Sequence, residues 1–361
     1  MRLALTAGGT GGHILPALTV MEAVQRLAGP VDVRFFGPDG RGEREMVEAR
    51  GVRFERVPSA AVRGKNPWQL ARAAGRLFLG LLTALRKLRA FRPQVVLSTG
   101  GYASFPCSLA ARVLRIPLVV FLPDVEPGWA VRVEKRLATR IATTTEGARA
   151  QLPEDKTYVT GYPVRDEFRT AIRGHVRAAL GAGEGPVVLV AGASQGAATI
   201  NRAIFRALPE LCSRSTVVHV TGRGDFEEAS ERRATLPEPV RAAYQPAAFR
   251  DDLPALMVGA DLGVMRAGAS VLGELPAAGL PSLLIPGRFA GGHQRANAQW
   301  LADGGAANVL EETRIGEVLP RIFTLIDDAT RLERMREAAR SLDRPDAAND
   351  IARIMLEVAR R

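Results

Sequence analysis

The sequence predicts an α/β protein of two doubly wound, parallel-sheet units, and three observations carry that reading. Short apolar runs alternate with helical stretches along the chain. The rhythm restarts near the middle. In each half a glycine-rich loop joins a strand to the helix that follows it. A length of 361 residues fits two or three domains.

The elements read in order as follows. Arg2–Ala7 is a buried strand, His13–Leu27 a helix and Val31–Phe36 a strand. Pro67–Ala90 is a long helix, and Gln94–Ser98, Leu118–Phe121 and Ile141–Thr144 are further strands. Their near-continuous apolar character suits strands covered on both faces. The second series is a strand over Pro186–Ala191, a helix over Ala197–Leu211, and strands over Thr216–Thr221, Asp261–Met265 and Ser282–Ile285. Ala347–Arg361 reads as an amphipathic helix able to pack on either unit. The seam is placed near Gly161–Arg165, dividing the chain into 1–161 and 162–344.

Composition narrows the function classes. Hydrophobic residues make up 47% and charged residues 24%, which excludes a disordered tail, a fibre and a small disulfide scaffold. Cys107 and Cys212 lie in separate halves without metal-ligand spacing, which fits a reducing cytoplasm. Met1–Gly9 is too short in its apolar run for a signal peptide, and no stretch reaches the ~18 apolar residues of a membrane span. The formal net charge is +11, and residues 1–165 carry all of the excess. Between Glu55 and Asp124 there are eleven Arg or Lys and no carboxylate. One basic face meeting an anionic surface explains that division better than nucleic-acid binding, for which no aromatic-interleaved patch or recognition helix is evident.

The two loops are Gly8-Gly9-Thr10-Gly11-Gly12-His13 and Gly192-Ala193-Ser194-Gln195-Gly196-Ala197. A helix N-terminus offers unpaired N–H groups to an anion, and glycine lets backbone approach it closely, so either loop suits a phosphate. Neither is a dinucleotide fingerprint or a P-loop: Ile14 stands where a third glycine is needed, and no Gly-Lys-Ser/Thr follows. The competing reading is a pair of ordinary strand-to-helix turns. Their corresponding positions favour ligand sites at the carboxyl ends of two sheets, at the mouth of an interdomain cleft.

These loops belong to a longer series: Gly100-Gly101-Tyr102-Ala103-Ser104-Phe105-Pro106, Gly161-Tyr162-Pro163-Val164-Arg165, Arg266-Ala267-Gly268-Ala269 with Glu274, and His293-Gln294 with Asn297. In order and spacing the series resembles the MurG family within glycosyltransferase family 28. The resemblance implies the GT-B fold, two Rossmann-like domains facing across a cleft, with the last helix (about 345–361) returning to the N-terminal domain. It implies inverting transfer of GlcNAc from UDP-GlcNAc, held by the C-terminal domain, to the MurNAc 4-hydroxyl of undecaprenyl-diphospho-MurNAc-pentapeptide, held by the N-terminal one. This is the step from lipid I to lipid II in peptidoglycan synthesis, and no metal or other cofactor is implied.

By that resemblance the donor site comprises Thr10, Gly11, Gly12, Arg165, Ser194, Gln195, Gly196, Phe249, Arg250, Ala269, Glu274, Gln294 and Asn297. The acceptor site comprises Gly9, Gly100, Gly101, Tyr102 and Ser104. The chemistry is compatible. Backbone N–H groups at Ser194–Gly196, the Ser194 hydroxyl and Arg165 suit a diphosphate leaving group whose charge grows in the transition state. A carboxylate at Glu274 can accept both ribose hydroxyls; otherwise it is a solvated helix residue. Gln294 and Asn297 share a helix face and suit sugar hydroxyls, or simply a polar helix start. Phe249 resembles the residue flanking uracil, with a core role as the rival.

A general base must take the acceptor proton. His13 leads, because histidine titrates near ~6.5 and this one ends the first loop; a structural role at the helix start is the alternative. His175 falls in a charged linker, His219 in a strand, and His293 among donor-site positions. The family pattern has His-Glu where Phe121-Leu122 stand here, with Asp124 the remaining polar group, and Asn where Tyr162 stands. Asp124 is thereby a rival base or a partner for His13. The departure leaves a different lipid or glycan acceptor as one alternative and an inactive nucleotide-sugar-binding relative as another.

On the Pro67–Ala90 helix, Leu70, Leu77, Leu81, Leu85 and Leu88 form the stripe expected to face the core. Trp68, Arg72, Arg76, Leu79, Arg86 and Lys87 lie opposite. Interleaved apolar and basic residues suit peripheral binding to the anionic inner-leaflet surface of the cell membrane, against the plain reading of an Arg-rich solvated face. Cell-wall or division-complex proteins remain open as partners.

Overall fold

The apolar runs of the N-terminal half become one parallel seven-stranded sheet. Its strands are β1 (Arg2–Thr6), β2 (Asp32–Gly37), β3 (Arg53–Arg56), β4 (Val95–Ser98), β5 (Leu118–Leu122), β6 (Arg140–Thr143) and β7 (Thr157–Val159), in the order β3-β2-β1-β4-β5-β6-β7. The second series forms a parallel six-stranded sheet of β8 (Val187–Ala191), β9 (Thr216–Val220), β10 (Tyr244–Ala247), β11 (Leu262–Met265), β12 (Ser282–Leu284) and β13 (Ala307–Val309), in the order β10-β9-β8-β11-β12-β13. These come from a computed structural model that describes residues 1–8, 11–40, 42–60, 66–192, 197–287 and 292–360. The chain divides into two units: Met1–Pro163 with Pro345–Arg361, and Val164–Arg344.

In both sheets the first strand sits inside, and the order reverses beside it. β1 has β2 on one side and β4 on the other, with Leu3 opposite Val95 and Leu5 opposite Leu97. β8 likewise lies between β9 and β11. Such a reversal opens a crevice at the carboxyl ends of the two strands flanking it, where ligands bind in this class of sheet. β8, β11 and β12 are buried throughout, as expected of strands with helices on both faces.

Four strands are not expected from the sequence: β3, β7, β10 and β13. All four are sheet edges, and all are short and partly polar. His175, read as part of a linker, lies in the helix Arg173–Ala179.

The long helix spans Pro67–Phe91. Asn66 caps it, its side-chain oxygen accepting from the Gln69 N–H at 2.9 Å, and proline follows at the first helical position, where its missing N–H costs nothing. Its buried face is Ala73, Gly80, Ala84, Leu88 and Phe91, with Leu77, Leu81 and Leu85 half-buried. A Cβ at Gly80 would lie 2.1 Å from the Pro58 carbonyl oxygen, so close packing demands glycine there. Leu70, expected in that stripe, is 47% exposed because the first turns, Trp68 to Arg72, are exposed all round.

Helix Ala347–Ala359 packs on helix Gly11–Ala28, placing Ile351, Ala352, Met355 and Val358 in the core of the first unit.

Candidate functional site

In the first unit the chain leaves β1 and β4 at the reversal of strand order, and the two loops lock together. The Gly8 N–H donates to the Gly100 carbonyl at 2.8 Å. Gly101 has φ 85°, and a Cβ there would lie 2.6 Å from the Gly8 Cα. Glycine is required on both counts: left-handed backbone and backbone-to-backbone contact.

This clasp carries His13, in the first turn of helix Gly11–Ala28. Its Nδ1 lies 2.8 Å from the Thr99 carbonyl oxygen, and the Thr99 hydroxyl donates back to the His13 carbonyl at 2.6 Å. A carbonyl only accepts, so Nδ1 bears the hydrogen and the neutral ring keeps its Nε2 lone pair. The half-buried imidazole is thus in the tautomer a general base needs. The Tyr162 hydroxyl donates to the Gly12 carbonyl at 2.9 Å, fixing the same turn from another side. The Tyr162 and Phe121 rings meet edge to face, 5.9 Å apart. Phe121 and Tyr162, two of the positions where the resemblance leads one to expect another residue type, therefore touch each other.

Asp124 is half-buried just beyond β5, where the Thr144 hydroxyl donates to the Pro123 carbonyl at 2.9 Å. Tyr102 is half-buried, and its carbonyl accepts from Ser59 at 3.0 Å. Gly100 has both backbone groups in use, toward Gly8 and the Ser98 hydroxyl. Ser104, expected at the acceptor site, is wholly buried, with its hydroxyl within 2.8 Å of both the Glu134 carboxyl and the Gly101 carbonyl. Its polar group serves the turn. Gly9 and Thr10 lie outside the described residues.

In the second unit, residues from several strand ends gather by sheet order. Phe249 follows β10, Arg266–Ala269 follow β11, and Gly287 follows β12. Phe249 is 64% exposed. Arg250 forms a two-bond pair with Asp252, at 2.7 and 2.6 Å, which occupies its guanidinium. Arg266 donates to the Ile285 carbonyl at 3.1 Å and pairs with Glu312.

Glu274, in helix Val271–Ala278, is half-buried. Burial raises its carboxyl above the usual range, while the Ser270 hydroxyl and the nearby Arg165 charge oppose that shift. Arg165 and Glu274, far apart in sequence, are thereby neighbours. Among the described residues, neither the buried Arg165 Nε nor the buried His293 Nδ1 has a hydrogen-bond partner. Orphaned buried polar atoms are costly unless a ligand or water meets them. Gln294 accepts from the Gly287 N–H at 2.7 Å, and Ala269 is half-buried. Asn297, expected to reach a sugar, is instead wholly buried and donates to the Ala267 carbonyl at 3.2 Å; it holds the turn after β11. Ser194, Gln195 and Gly196 lie outside the described residues.

His219 is buried in β9 between the Tyr244 hydroxyl and the Asn201 side-chain oxygen, each at 3.0 Å. Burial lowers its pKa to about 3, so it is a neutral core residue. A surface cavity of about 720 Å³ flanking β10, lined by Phe226, Arg233, Arg241 and Gln245 among others, includes none of the expected site residues. Among the described residues, no group of three or more His, Cys, Asp or Glu side chains could hold a metal.

On the Pro67–Phe91 helix, Trp68 is 83% and Leu79 55% exposed, with Arg72, Arg76 and Arg86 exposed beside them. Phe78 and Leu82 join this face. Lys87, assigned to it from the sequence, is half-buried and donates to Glu55 at 2.6 Å. No helix among the described residues is long and apolar enough to cross a membrane.

Sequence reasoning missed Thr99, which orients His13, and Ser270, which steadies Glu274. Thr99 was discoverable, since it directly follows β4, the strand beside the reversal of strand order.

Comparison with known proteins adds the following. Residues 3–143 match the glycosyltransferase family 28 N-terminal domain, and residues 187–351 match the family 28 C-terminal domain. A Methylococcus capsulatus protein named UDP-N-acetylglucosamine–N-acetylmuramyl-(pentapeptide) pyrophosphoryl-undecaprenol N-acetylglucosamine transferase is 37% identical over 99% of both chains. A Roseiflexus protein of the same name is 35% identical over 98% of this chain and 94% of its own. Among solved structures, Acinetobacter baumannii MurG superposes with a TM-score of 0.75 at 24% identity, covering 99% of each chain. The MnaA–UDP co-structure from S. aureus superposes at 0.71 with 13% identity, covering 97% of this chain and 95% of that one. The structural likenesses establish the two-domain GT-B fold.

Proposed function

Because the chain belongs to glycosyltransferase family 28, we propose that it transfers N-acetylglucosamine from UDP-GlcNAc to the MurNAc 4-hydroxyl of undecaprenyl-diphospho-MurNAc-pentapeptide, making lipid II from lipid I. The observation that carries this reading is the end-to-end match, at 35% and 37% identity, to relatives that bear that activity in their names.

The reaction is a displacement with inversion. The acceptor O4 forms a bond to the anomeric carbon, the bond from that carbon to the UDP phosphate oxygen breaks, and the O4 proton goes to a base. His13 is that base, its Nε2 lone pair held available by the Nδ1 bond to Thr99. The leaving diphosphate gains charge, which Arg165 and the N–H groups of the Ser194–Gly196 loop offset. Glu274 takes the ribose hydroxyls, Phe249 lies on the uracil, and Gln294 faces the sugar. The Arg165 Nε and His293 Nδ1, buried and without a partner among the described residues, are consistent with a ligand in the second unit.

The test is UDP release from UDP-GlcNAc, with and without a short-chain lipid I analogue, with mass analysis of the product. Acceptor-dependent release with one added HexNAc is the expected result. UDP-GlcNAc binding without such release would reject lipid I as acceptor. It would instead favour a different lipid or glycan acceptor.

We also infer that the protein works peripherally at an anionic membrane face, through Trp68, Leu79, Arg72, Arg76 and Arg86. Each exposed basic residue near such a surface contributes about 1 kcal/mol, so changing all three arginines to Glu should weaken binding to anionic vesicles by roughly a hundred-fold. Unchanged co-sedimentation with the vesicles would reject this face.

A further inference from the structure

Beneath the Gly100–Gly101 turn lies a carboxyl group that the transfer reaction does not use. Glu134, in helix Trp129–Leu137, has no exposed surface. Three serine hydroxyls surround it. Ser108 lies 2.7 Å and Ser104 2.8 Å from its Oε1, and Ser98 lies 3.1 Å from its Oε2. Ser98 ends β4, whereas Ser104 and Ser108 lie at the start of helix Phe105–Val113. The carboxyl thus ties together both ends of the 98–104 segment.

That segment is the one that orients His13. The Ser98 oxygen, having given its proton to Glu134, accepts the Gly100 N–H at 3.3 Å. Thr99, between them, supplies the carbonyl that holds the His13 Nδ1 at 2.8 Å. Gly100 supplies the carbonyl that holds Gly8. A buried carboxyl with no facing cation is expensive, and a serine or alanine would be cheaper if only space needed filling.

We propose that Glu134 is a positioning residue, acting through Ser98 and the Thr99–Gly101 turn to hold the His13 ring in the orientation that accepts the acceptor proton. The inference rests on the transferase reading given above.

The hydroxyls also provide for the protonated form. A neutral Glu134 can donate to the Ser104 oxygen, and Ser104 can then turn its own proton to the Gly101 carbonyl, already 2.8 Å away. Burial pushes the Glu134 pKa up to about 7, with Ser108, Ser104 and Ser98 opposing the rise, so both forms are accessible near neutrality. From the packed helix Phe105–Val113 the facing titratable group is the Cys107 thiol, which burial pushes up to about 12 and so leaves uncharged. β5 presents only apolar side chains. On its own helix, Arg132 donates to the Pro127 carbonyl and Lys135 to the Gln151 carbonyl, and Arg136 is exposed.

Glu134→Gln tests this in the full chain. The amide keeps shape and one acceptor oxygen, but its NH2 group faces Ser98 and competes with the Gly100 N–H for the Ser98 oxygen. Two readouts are needed: kcat and KM across pH 6–9, and the His13 ring nitrogen resonances, assigned against His13→Gln. The expected result is a kcat about ten-fold lower with the KM for UDP-GlcNAc unchanged. The His13 tautomer signals should shift, and their dependence on a second protonation step should disappear. A wild-type value in either readout, His13 signals or kcat, overturns the proposal. If Glu134→Gln does not fold, Ser98→Ala removes the same link and is judged by the same readouts. If the wild-type protein transfers nothing to the acceptor, the reaction assignment fails, while the His13 signals still decide what Glu134 does.

Discussion

Replacing His13 by alanine is expected to lower kcat by about 10²–10⁴-fold while leaving the KM for UDP-GlcNAc near the parent value. The expectation follows from where the ring is held. Its Nδ1 is committed to the Thr99 carbonyl, so removing the imidazole deletes a prepared proton acceptor. Arg165, Phe249, Glu274 and Gln294, proposed for the donor, all belong to the other unit, so donor binding should change little. Transfer assays at saturating acceptor, run beside Asp124→Asn, separate the candidates. If His13→Ala keeps near-full turnover and Asp124→Asn loses it, the base is Asp124. The fold should survive, because His13 is only half-buried and helix Gly11–Ala28 buries its core through other residues.

The second large effect is expected at Gly101. Alanine there must accept a φ of 85°, which costs an L-residue about 1–2 kcal/mol, and its Cβ would press on the Gly8 Cα from 2.6 Å. Overpacking against backbone adds about 1–3 kcal/mol, because the Gly8 chain has no rotamer to yield. The first unit should therefore lose about 2–5 kcal/mol, seen as a thermal midpoint lower by roughly 4–20 °C. Turnover at temperatures where the variant stays folded should fall as well, since the turn that moves carries the Thr99 carbonyl. An alanine variant with the parent's midpoint and kcat would show that the two loops do not bear on each other in solution.

How far the sequence alone reaches differs between elements for physical reasons. Strands at the centre of a parallel sheet announce themselves: Val187–Ala191 and Leu118–Leu122 are apolar throughout because both faces are covered. The edges do not. Arg53–Arg56 alternates charge with one phenylalanine, and Tyr244–Ala247 contains Pro246, which argues against a strand except at an edge. Thr157–Val159 and Ala307–Val309 are three residues each, below any periodicity.

Among the functional candidates, His13 and Glu274 could be read from position because each follows a glycine-containing turn at a strand end. Ser104 and Asn297 could not be judged that way. Spacing puts a polar side chain on a helix face, but whether that face turns toward ligand or toward a backbone carbonyl depends on packing from distant residues. Glu134 shows the same limit from the other side. Within Trp129–Leu137 it stands beside Lys135 and Arg136 and reads as a solvated charge, yet its carboxyl is wrapped by three serines.

Helix Ala347–Ala359 gives the first unit a peculiar biogenesis. Its partner, helix Gly11–Ala28, leaves the ribosome early, but the residues that cover it emerge only after Val164–Arg344 have been made. At about 5–20 residues per second, the apolar flank of the early helix waits roughly 15–65 s for its cover. The second unit, continuous in sequence, can finish folding during that wait. A chain released after residue 344 should therefore carry one completed unit and one still open to chaperones and proteases.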